Sequence, residues 1–369
     1  MQIIQKPYVL LILIVTVLAA ALATVMGLAG TTTKILLLAW IFVPPPIVLL
    51  IKLLKPLPRS LRIASTTYIS VSILATVLLL LTVGWTGSET ALHPEVCKDM
   101  DEISQYPDLA QQLNPISFTA QDGTSLKGWL AIQDSHRAVV LLHGYRCDKR
   151  AMLLEAKMLY DAGMTVLLFD FRHSGESDGK FVSFGYYEKQ DVLAAVNLIE
   201  SLDGRGNDLK GRGRTSIGLL GESNGAATAI LFAAENPGRV DALVVDSTFK
   251  SLDSAISQAF TYFVGLPAFP FAPVTVWISE LRTGLKRGAV KPEESVADLI
   301  ETPILLIHGL RDAVISAKDS EAIYSNALQP KQIWLVPDAE HGEASEVATD
   351  EYRERVVNFF KLNLRQETS

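Results

Sequence analysis

The chain has 369 residues, 49% of them apolar, and a formal net charge of −7. That balance argues against a nucleic-acid footprint, which needs clustered Lys and Arg; the one basic run, RGNDLKGRGR (205–214), sits among glycines and reads as a solvated loop. Two cysteines, Cys97 and Cys147, make no disulfide framework and no CxxC pair, and the ligand spacing of a metal site is missing.

The apolar residues crowd into the first ninety positions. Pro7–Thr33 carries no charge, and YVLLILIVTVLAAALATVMGLAG within it is long enough to cross a hydrocarbon core. It is too long for a cleaved signal peptide, and further apolar segments follow it. Ile35–Ile51 is also uncharged but is broken by Pro44, Pro45 and Pro46, which remove three consecutive amide donors. Unsatisfied backbone in lipid is costly, so a kinked span is expected there rather than a re-entrant one. Ile63–Ser88 is the third uncharged stretch. The expected organisation is a transmembrane region over 1–88, with spans near 8–30, 35–54 and 63–85, a connector over 89–115, and a globular domain over 116–369. Lys52, Lys55, Arg59 and Arg62 cluster between the second and third spans, and Lys6 precedes the first. Lys34 stands alone on the other side. Positive charge concentrates on the cytoplasmic face, so this multi-pass membrane protein is expected to hold its globular domain outside the cytoplasm, with the lipid bilayer as a partner.

Past the connector the pattern changes. ISFTAQDGTSLKGWLAIQ reads as a hairpin turning at Asp122-Gly123. AVVLLHG is a buried strand, Arg150–Ala162 a helix with Gly163 just beyond its end, and MTVLLFDF the next strand. Tyr186–Leu202 reads as a helix, SIGLLGES as a strand ending in a turn, and Ala226–Glu235 as a helix stopped near Pro237. DALVVDS, PILLIHG and QIWLVP are three more strands, and Tyr352–Leu362 a closing helix. Continuous Val/Leu/Ile runs separated by amphipathic helices predict an α/β domain, with a mostly parallel sheet covered on both faces. Functional groups in such sheets gather at the carboxyl ends of the strands.

Two segments fit G-x-S-x-G: Gly175–Gly179 around Ser177, and Gly221–Gly225 around Ser223. A nucleophilic serine needs a sharp turn joining a strand directly to a helix. Ser223 has SIGLL before it and AATAILFAA after it. Ser177 is followed by KFVSFG, which starts no helix, and reads as part of a polar loop. A serine hydroxyl also needs a base. Of the histidines downstream of Ser223, His308 ends a strand, while His341 lies in the loop after QIWLVP and is free to reach over the sheet. Asp312, a short turn beyond PILLIHG, is the preferred acid to orient that imidazole; Asp246 and Asp338 are its rivals. The amides of Asn224, after the nucleophile, and Tyr145, in the loop after AVVLLHG, are the expected oxyanion donors.

Together LLHGY (141–145), FDFRHSGES (169–177), GLLGESNGAA (218–227), LLIHGLRD (305–312) and AEHGE (339–343) resemble the α/β-hydrolase superfamily, in particular its serine aminopeptidase-like and Bem46-like bacterial members. The resemblance runs from about Phe118 to the C-terminus. It implies the α/β-hydrolase fold, a Ser223–Asp312–His341 triad, hydrolysis without a cofactor, and a structural role for Asp170 and Arg172. Asn224 stands where such proteins more often have a hydrophobic residue or glycine. The multi-span N-terminus lies outside the family pattern.

An insertion over 248–298, aromatic and proline-rich at its centre (AFTYFVGLPAFPFAPVTVWI), is long for a plain connection. It reads equally as a lid over an apolar acyl pocket, a segment dipping into the bilayer, or a packed helical cap. The leading expectation is carboxylic-ester hydrolysis of a small acyl substrate. The alternatives are a peptidase or thioesterase on the same residues, and a non-catalytic protein that keeps the scaffold for binding.

Overall fold

The computed structural model describes residues 59–96, 102–202 and 215–365. The first two expected spans, the triple proline, Cys97 and the basic run at 205–214 lie outside the described residues. The chain divides into two compact units: residues up to Ser88 with Phe263–Ile278, and Glu89–Tyr262 with Ser279–Ser369.

The third apolar stretch lies in a single helix, α1 (Arg59–Leu92), longer at both ends than the span expected from sequence. Its Ser70–Leu92 portion has a mean hydropathy of 1.8, and among the described residues it is the one unbroken helix long and apolar enough to cross a bilayer. Ile73, Leu74, Leu78 and Trp85 are exposed along it. Within the same unit Gly84 faces Val274 and Ile278, where an added Cβ would come 2.6 Å from Val274 Cγ1.

The second unit carries an eight-stranded sheet. Its strands are β1 (Asn114–Thr119), β2 (Ser125–Ala131), β3 (Arg137–Leu142), β4 (Thr165–Phe169), β5 (Ser216–Glu222), β6 (Ala242–Asp246), β7 (Ile304–Gly309) and β8 (Lys331–Val336). Their order is β1-β2-β4-β3-β5-β6-β7-β8. The hairpin β1–β2 is antiparallel and β2 runs antiparallel to β4; from β4 to β8 every pair is parallel. Every residue of β3, β4, β6 and β7 is buried. This is why these strands read as continuous apolar runs rather than alternating ones.

The helices are α2 (Leu153–Asp161), α3 (Glu188–Leu202), α4 (Asn224–Glu235), α5 (Leu252–Ala259), α6 (Ala268–Thr283), α7 (Ala317–Asn326) and α8 (Thr349–Asn363). Successive residues of one strand point to opposite faces. Val140 and Leu142 join Leu219, Val245 and Leu306 under α3 and α4, through Val192, Ile199 and Phe232. Val139 and Leu141 join Leu220, Val244 and Ile307 under α2 and α8, through Leu159, Val356 and Phe360. Fully burying one such side chain contributes roughly 1.5–3 kcal/mol. The chain winds outward from β3 in both directions, to β4 on one side and β5 on the other, and in sheets of this kind ligands bind at the carboxyl ends where the winding reverses. Between β6 and β7, α5 ends in a π-turn over Phe260–Val264, and α6 is interrupted at Phe269, whose extended backbone (φ −85°, ψ 133°) precedes Pro270.

Candidate active site

β5 ends at Glu222 and α4 starts at Asn224, so Ser223 alone makes the turn between them. Its backbone lies at φ 49°, ψ −108°, a region that costs a residue other than glycine about 1–3 kcal/mol. The surroundings hold it there: Ser223 N donates to Asp246 O (2.8 Å), and Ala227 N donates to Ser223 O (3.1 Å). The flanking glycines are steric necessities. A Cβ on Gly221 would lie 2.5 Å from the Gly225 carbonyl, and one on Gly225 would lie 2.0 Å from Leu142 O.

His341 comes from the loop after β8. Its Nε2 lies 2.9 Å from Ser223 Oγ and its Nδ1 2.6 Å from Asp312 Oδ2. Asp312, in the loop after β7, accepts the amides of Val314 and Ile315 on Oδ1, both at 2.8 Å. Burial alone would raise its pKa. Hydrogen bonds from His308, His341 and the Ile315 amide outweigh that and hold the carboxyl well below the usual carboxylate range. Ser223, His341 and Asp312 therefore form one continuous hydrogen-bonded chain, in the sequence order Ser, acid, His.

The rival residues are placed elsewhere. Asp338 pairs with Arg311 at 2.7 Å on the surface. Asp246 is buried at the end of β6 and accepts the hydroxyl of Ser247 (2.9 Å). Ser177 donates to Asp170 O (2.7 Å) and accepts Lys127 N (2.9 Å), so its hydroxyl is tied into a loop.

The loop after β3 runs beside the nucleophile, since a Cβ on Gly144 would lie 3.6 Å from Ser223 Cβ. Buried His143 shapes it. Phe171 N donates to His143 Nε2 (3.0 Å), so Nδ1 carries the proton, toward Gly144 O (2.8 Å). Burial holds that imidazole below its ordinary pKa and hence neutral. Within the described residues Tyr145 N–H donates no hydrogen bond, and Asn224 N–H is at the first position of α4, where no intrahelical carbonyl is in reach. Both amides are available to a developing oxyanion. The Tyr145 hydroxyl is turned away, donating to Thr90 O (2.9 Å) and Ala91 O (3.2 Å), while its ring stacks on Phe184. Tyr145→Phe is accordingly expected to leave kcat within about threefold and to cost about 1 kcal/mol of stability. Ester hydrolysis and thermal unfolding of the same preparation check this, and a large fall in kcat would assign the hydroxyl a direct role.

Asp170 and Arg172 brace the loops behind the site. Fully buried Asp170 accepts Lys149 N (2.8 Å), Lys149 Nζ (2.7 Å) and Glu176 N (2.9 Å). Arg172 forks onto buried Asp191 (Nη2–Oδ1 2.6 Å) and reaches Asp122 (2.8 Å).

Sequence reasoning missed three residues around this site. Ser247, at φ 52°, bridges Asp246 to the base loop by accepting Gly342 N (3.1 Å). Glu222 is wedged between the two loops that flank Ser223: a Cβ on Gly144 would lie 3.0 Å from its Oε1, and one on Gly342 2.8 Å. Burial, then the charges of Asp246, Glu155 and Glu346, push the Glu222 pKa well above the carboxylate range. His308, read only as the end of a strand, contacts the acid directly. The paired positive-φ serines were invisible in sequence, but an acidic residue inside the nucleophile motif was in plain view. Among the described residues no group of three or more His, Cys, Asp or Glu is arranged to hold a metal ion.

Comparison with known proteins bears on the fold. A family model described as serine aminopeptidase, S33, matches residues 133–276. The uncharacterized protein YqkD of Bacillus subtilis is 30% identical over 239 residues, covering 64% of this chain and 75% of that protein. Protein bem46 of Schizosaccharomyces pombe is 23% identical over 205 residues, covering 54% of this chain and 60% of that protein. Among solved structures, the esterase Pf2001 of Pyrococcus furiosus superposes with a TM-score of 0.58 at 25% identity, over 74% of this chain and 99% of the esterase. The strand order, the serine elbow between β5 and α4, and relatives that share most of their length with it lead to one assignment: the chain belongs to the α/β-hydrolase superfamily.

Proposed function

We propose that the protein is a membrane-anchored serine hydrolase that cleaves acyl esters through a covalent intermediate on Ser223. The observation that carries this is the unbroken chain of hydrogen bonds from Ser223 Oγ through His341 to Asp312. Ser223 Oγ attacks the ester carbonyl carbon while His341 Nε2 takes its proton. The amides of Asn224 and Tyr145 receive the oxyanion, and Asp312 holds the imidazole in the tautomer that keeps Nε2 free. The C–O bond to the alcohol then breaks, with the proton passing from Nε2 to the leaving oxygen. Water, deprotonated by the same nitrogen, attacks the acyl-enzyme and releases the acid with Ser223 restored.

An ester substrate is favoured by the likeness to an esterase structure. The exposed apolar side chains of Phe263, Phe269 and Trp277 in the insertion suit contact with acyl chains or lipid. Membrane anchoring rests on α1 and on the apolar segments that precede it in sequence, and the distribution of Lys and Arg favours an extracytoplasmic catalytic domain. The family description favours a second reading, a serine aminopeptidase on the same residues. A binding protein without catalysis is disfavoured by the complete set of candidate groups.

A membrane-impermeant fluorophosphonate applied to intact cells is expected to label Ser223, located by mass spectrometry of the labelled peptide. Labelling only after lysis would reverse the orientation. Labelling of Ser177, or of neither serine, would overturn the mechanism. Turnover of p-nitrophenyl esters against aminoacyl p-nitroanilides separates the esterase from the aminopeptidase.

A further inference from the structure

We propose that His308 is a positioning residue for the candidate acid: a second buried imidazole, set against the same Asp312 oxygen as His341, that fixes the carboxylate on which the base depends. This role rests on the serine-hydrolase reading above.

His308 sits at the end of β7, four residues before Asp312, with its side chain fully buried. Its Nε2 lies 3.1 Å from Asp312 Oδ2 and 2.9 Å from Ile315 O. A carboxylate and a carbonyl only accept, so Nε2 must carry a hydrogen. Nδ1 lies 2.7 Å from Ser320 Oγ on α7. Asp312 thus has no idle oxygen. Oδ1 takes the amides of Val314 and Ile315; Oδ2 takes the Nδ1–H of His341 and lies 3.1 Å from His308 Nε2, whose one hydrogen it shares with Ile315 O. Turning the carboxylate about its Cβ–Cγ bond would disturb the contacts on both oxygens at once. An apolar residue at 308 would fill the space but orphan Ile315 O and leave Oδ2 bonded to His341 alone.

The charges around His308 come from three elements. Asp312 faces it from its own loop, and Asp246 from β6, where it pairs in register with Ile307. His341 lies across the shared carboxylate. On α7, Ser320 faces the ring, whereas Asp319 is turned to Lys250 N, Ser254 and Gln258. Burial lowers the pKa of His308, but the bonds to Asp312 and Ile315 and the negative charges of Asp312 and Asp246 more than offset this, and the net shift is upward. A proton held there stabilises the Asp312 anion and competes with the base for it. Removing His308 leaves that anion to His341 alone, and the acid limb of kcat/KM is expected to move to higher pH.

The test compares His308→Leu, His308→Asn and His308→Gln in the full-length protein. Only the Gln amide reaches far enough to replace the Nε2–H. Ester hydrolysis is followed across pH, with thermal unfolding in parallel. His308→Leu and His308→Asn are expected to lose about 10–100-fold in kcat, with KM within about twofold and the acid limb displaced upward. His308→Gln recovers most of kcat. Should His308→Leu not fold, the Asn and Gln pair carries the same comparison. Wild-type kcat and an unmoved acid limb in the Leu or Asn variant would overturn the proposal. So would equal losses in Asn and Gln that track the folded fraction. Ser223→Ala in the same assay separates the two readings. Activity that survives it overturns the serine mechanism and the role of His308 together. An inactive Ser223→Ala beside an unimpaired His308→Asn overturns the role of His308 alone.

Discussion

Ser223→Ala is expected to lower kcat for ester hydrolysis by about 10⁴–10⁶-fold, and adding His341→Ala is expected to cost almost nothing further. The reason is the hydrogen-bonded chain. In the proposed mechanism every proton transfer at His341 Nε2 serves a step that begins or ends at the Ser223 Oγ 2.9 Å away, so without that oxygen its basicity serves no step. The rate that remains comes from substrate binding and from the amides of Asn224 and Tyr145, which neither change removes. Steady-state kinetics on the two single variants and the double variant checks this, and losses that multiply would mean that the two residues act independently. The backbone adds a second expectation. Because residue 223 sits at φ 49°, ψ −108°, Ser223→Gly should be as inactive as Ser223→Ala yet about 1 kcal/mol more stable than the wild type, since glycine occupies that region without a steric cost. Thermal unfolding of the three proteins gives the comparison. The strain at Ser223 would then be a feature maintained for catalysis at the expense of stability.

The middle of the sheet was legible in the sequence because its strands are buried on both faces. Runs such as AVVLLHG and PILLIHG advertise themselves without alternation, and each lies on an observed strand, β3 and β7. Ser223 was distinguishable from Ser177 because a strand and a helix abut it, which is local information. What the sequence did not announce depends on distant partners. Helix α7 buries Asp319, Ser320 and Ile323, so two of its three buried residues are polar and no apolar stripe marks it. Those polar residues are buried because Ser320 meets His308 and Asp319 meets Ser254 and Gln258, contacts set by folding rather than by spacing. The bridge from Asp246 through Ser247 to Gly342 is of the same kind, closing over 95 positions of chain. Pairing of β2 with β4 and of β3 with β5 followed no sequential rule either, and it is this inversion that sets where the strand order reverses. At the N-terminal end, the uncharged stretch from Ile63 was read as a span ending near 85, whereas α1 runs on to Leu92 through Gly87, Ser88 and Glu89. Polar residues in a final helical turn do not register in a hydropathy pattern.

Gly225→Ala is expected to destabilise the protein by more than about 4 kcal/mol, among the largest effects of a single methyl group, whereas Gly238→Ala should cost only about 1–2 kcal/mol. Gly238 has positive φ (76°) but nothing within 4 Å of an added Cβ, so only the left-handed backbone is penalised there. At Gly225 the new carbon would lie 2.0 Å from Leu142 O, 2.5 Å from Leu142 C and 2.8 Å from His143 O. These are backbone atoms, and no rotamer change relieves the overlap. Leu142 pairs in register with Gly221 across β3 and β5, so moving its carbonyl away breaks the ladder at the end where the nucleophile turn begins. Moving α4 instead withdraws the Asn224 amide from the Gly144–Tyr145 loop and pulls on Ser223 N, which is tied to Asp246 O at 2.8 Å. Either adjustment damages the fold and the proposed oxyanion site together, and any folded fraction of Gly225→Ala should therefore be nearly inactive toward esters while Gly238→Ala keeps wild-type kcat. Thermal unfolding and ester turnover of the two variants, purified in parallel, decide the matter. A Gly225→Ala protein no less stable than Gly238→Ala would mean that the close approach of α4 to β3 is not what holds the serine at the carboxyl end of the sheet.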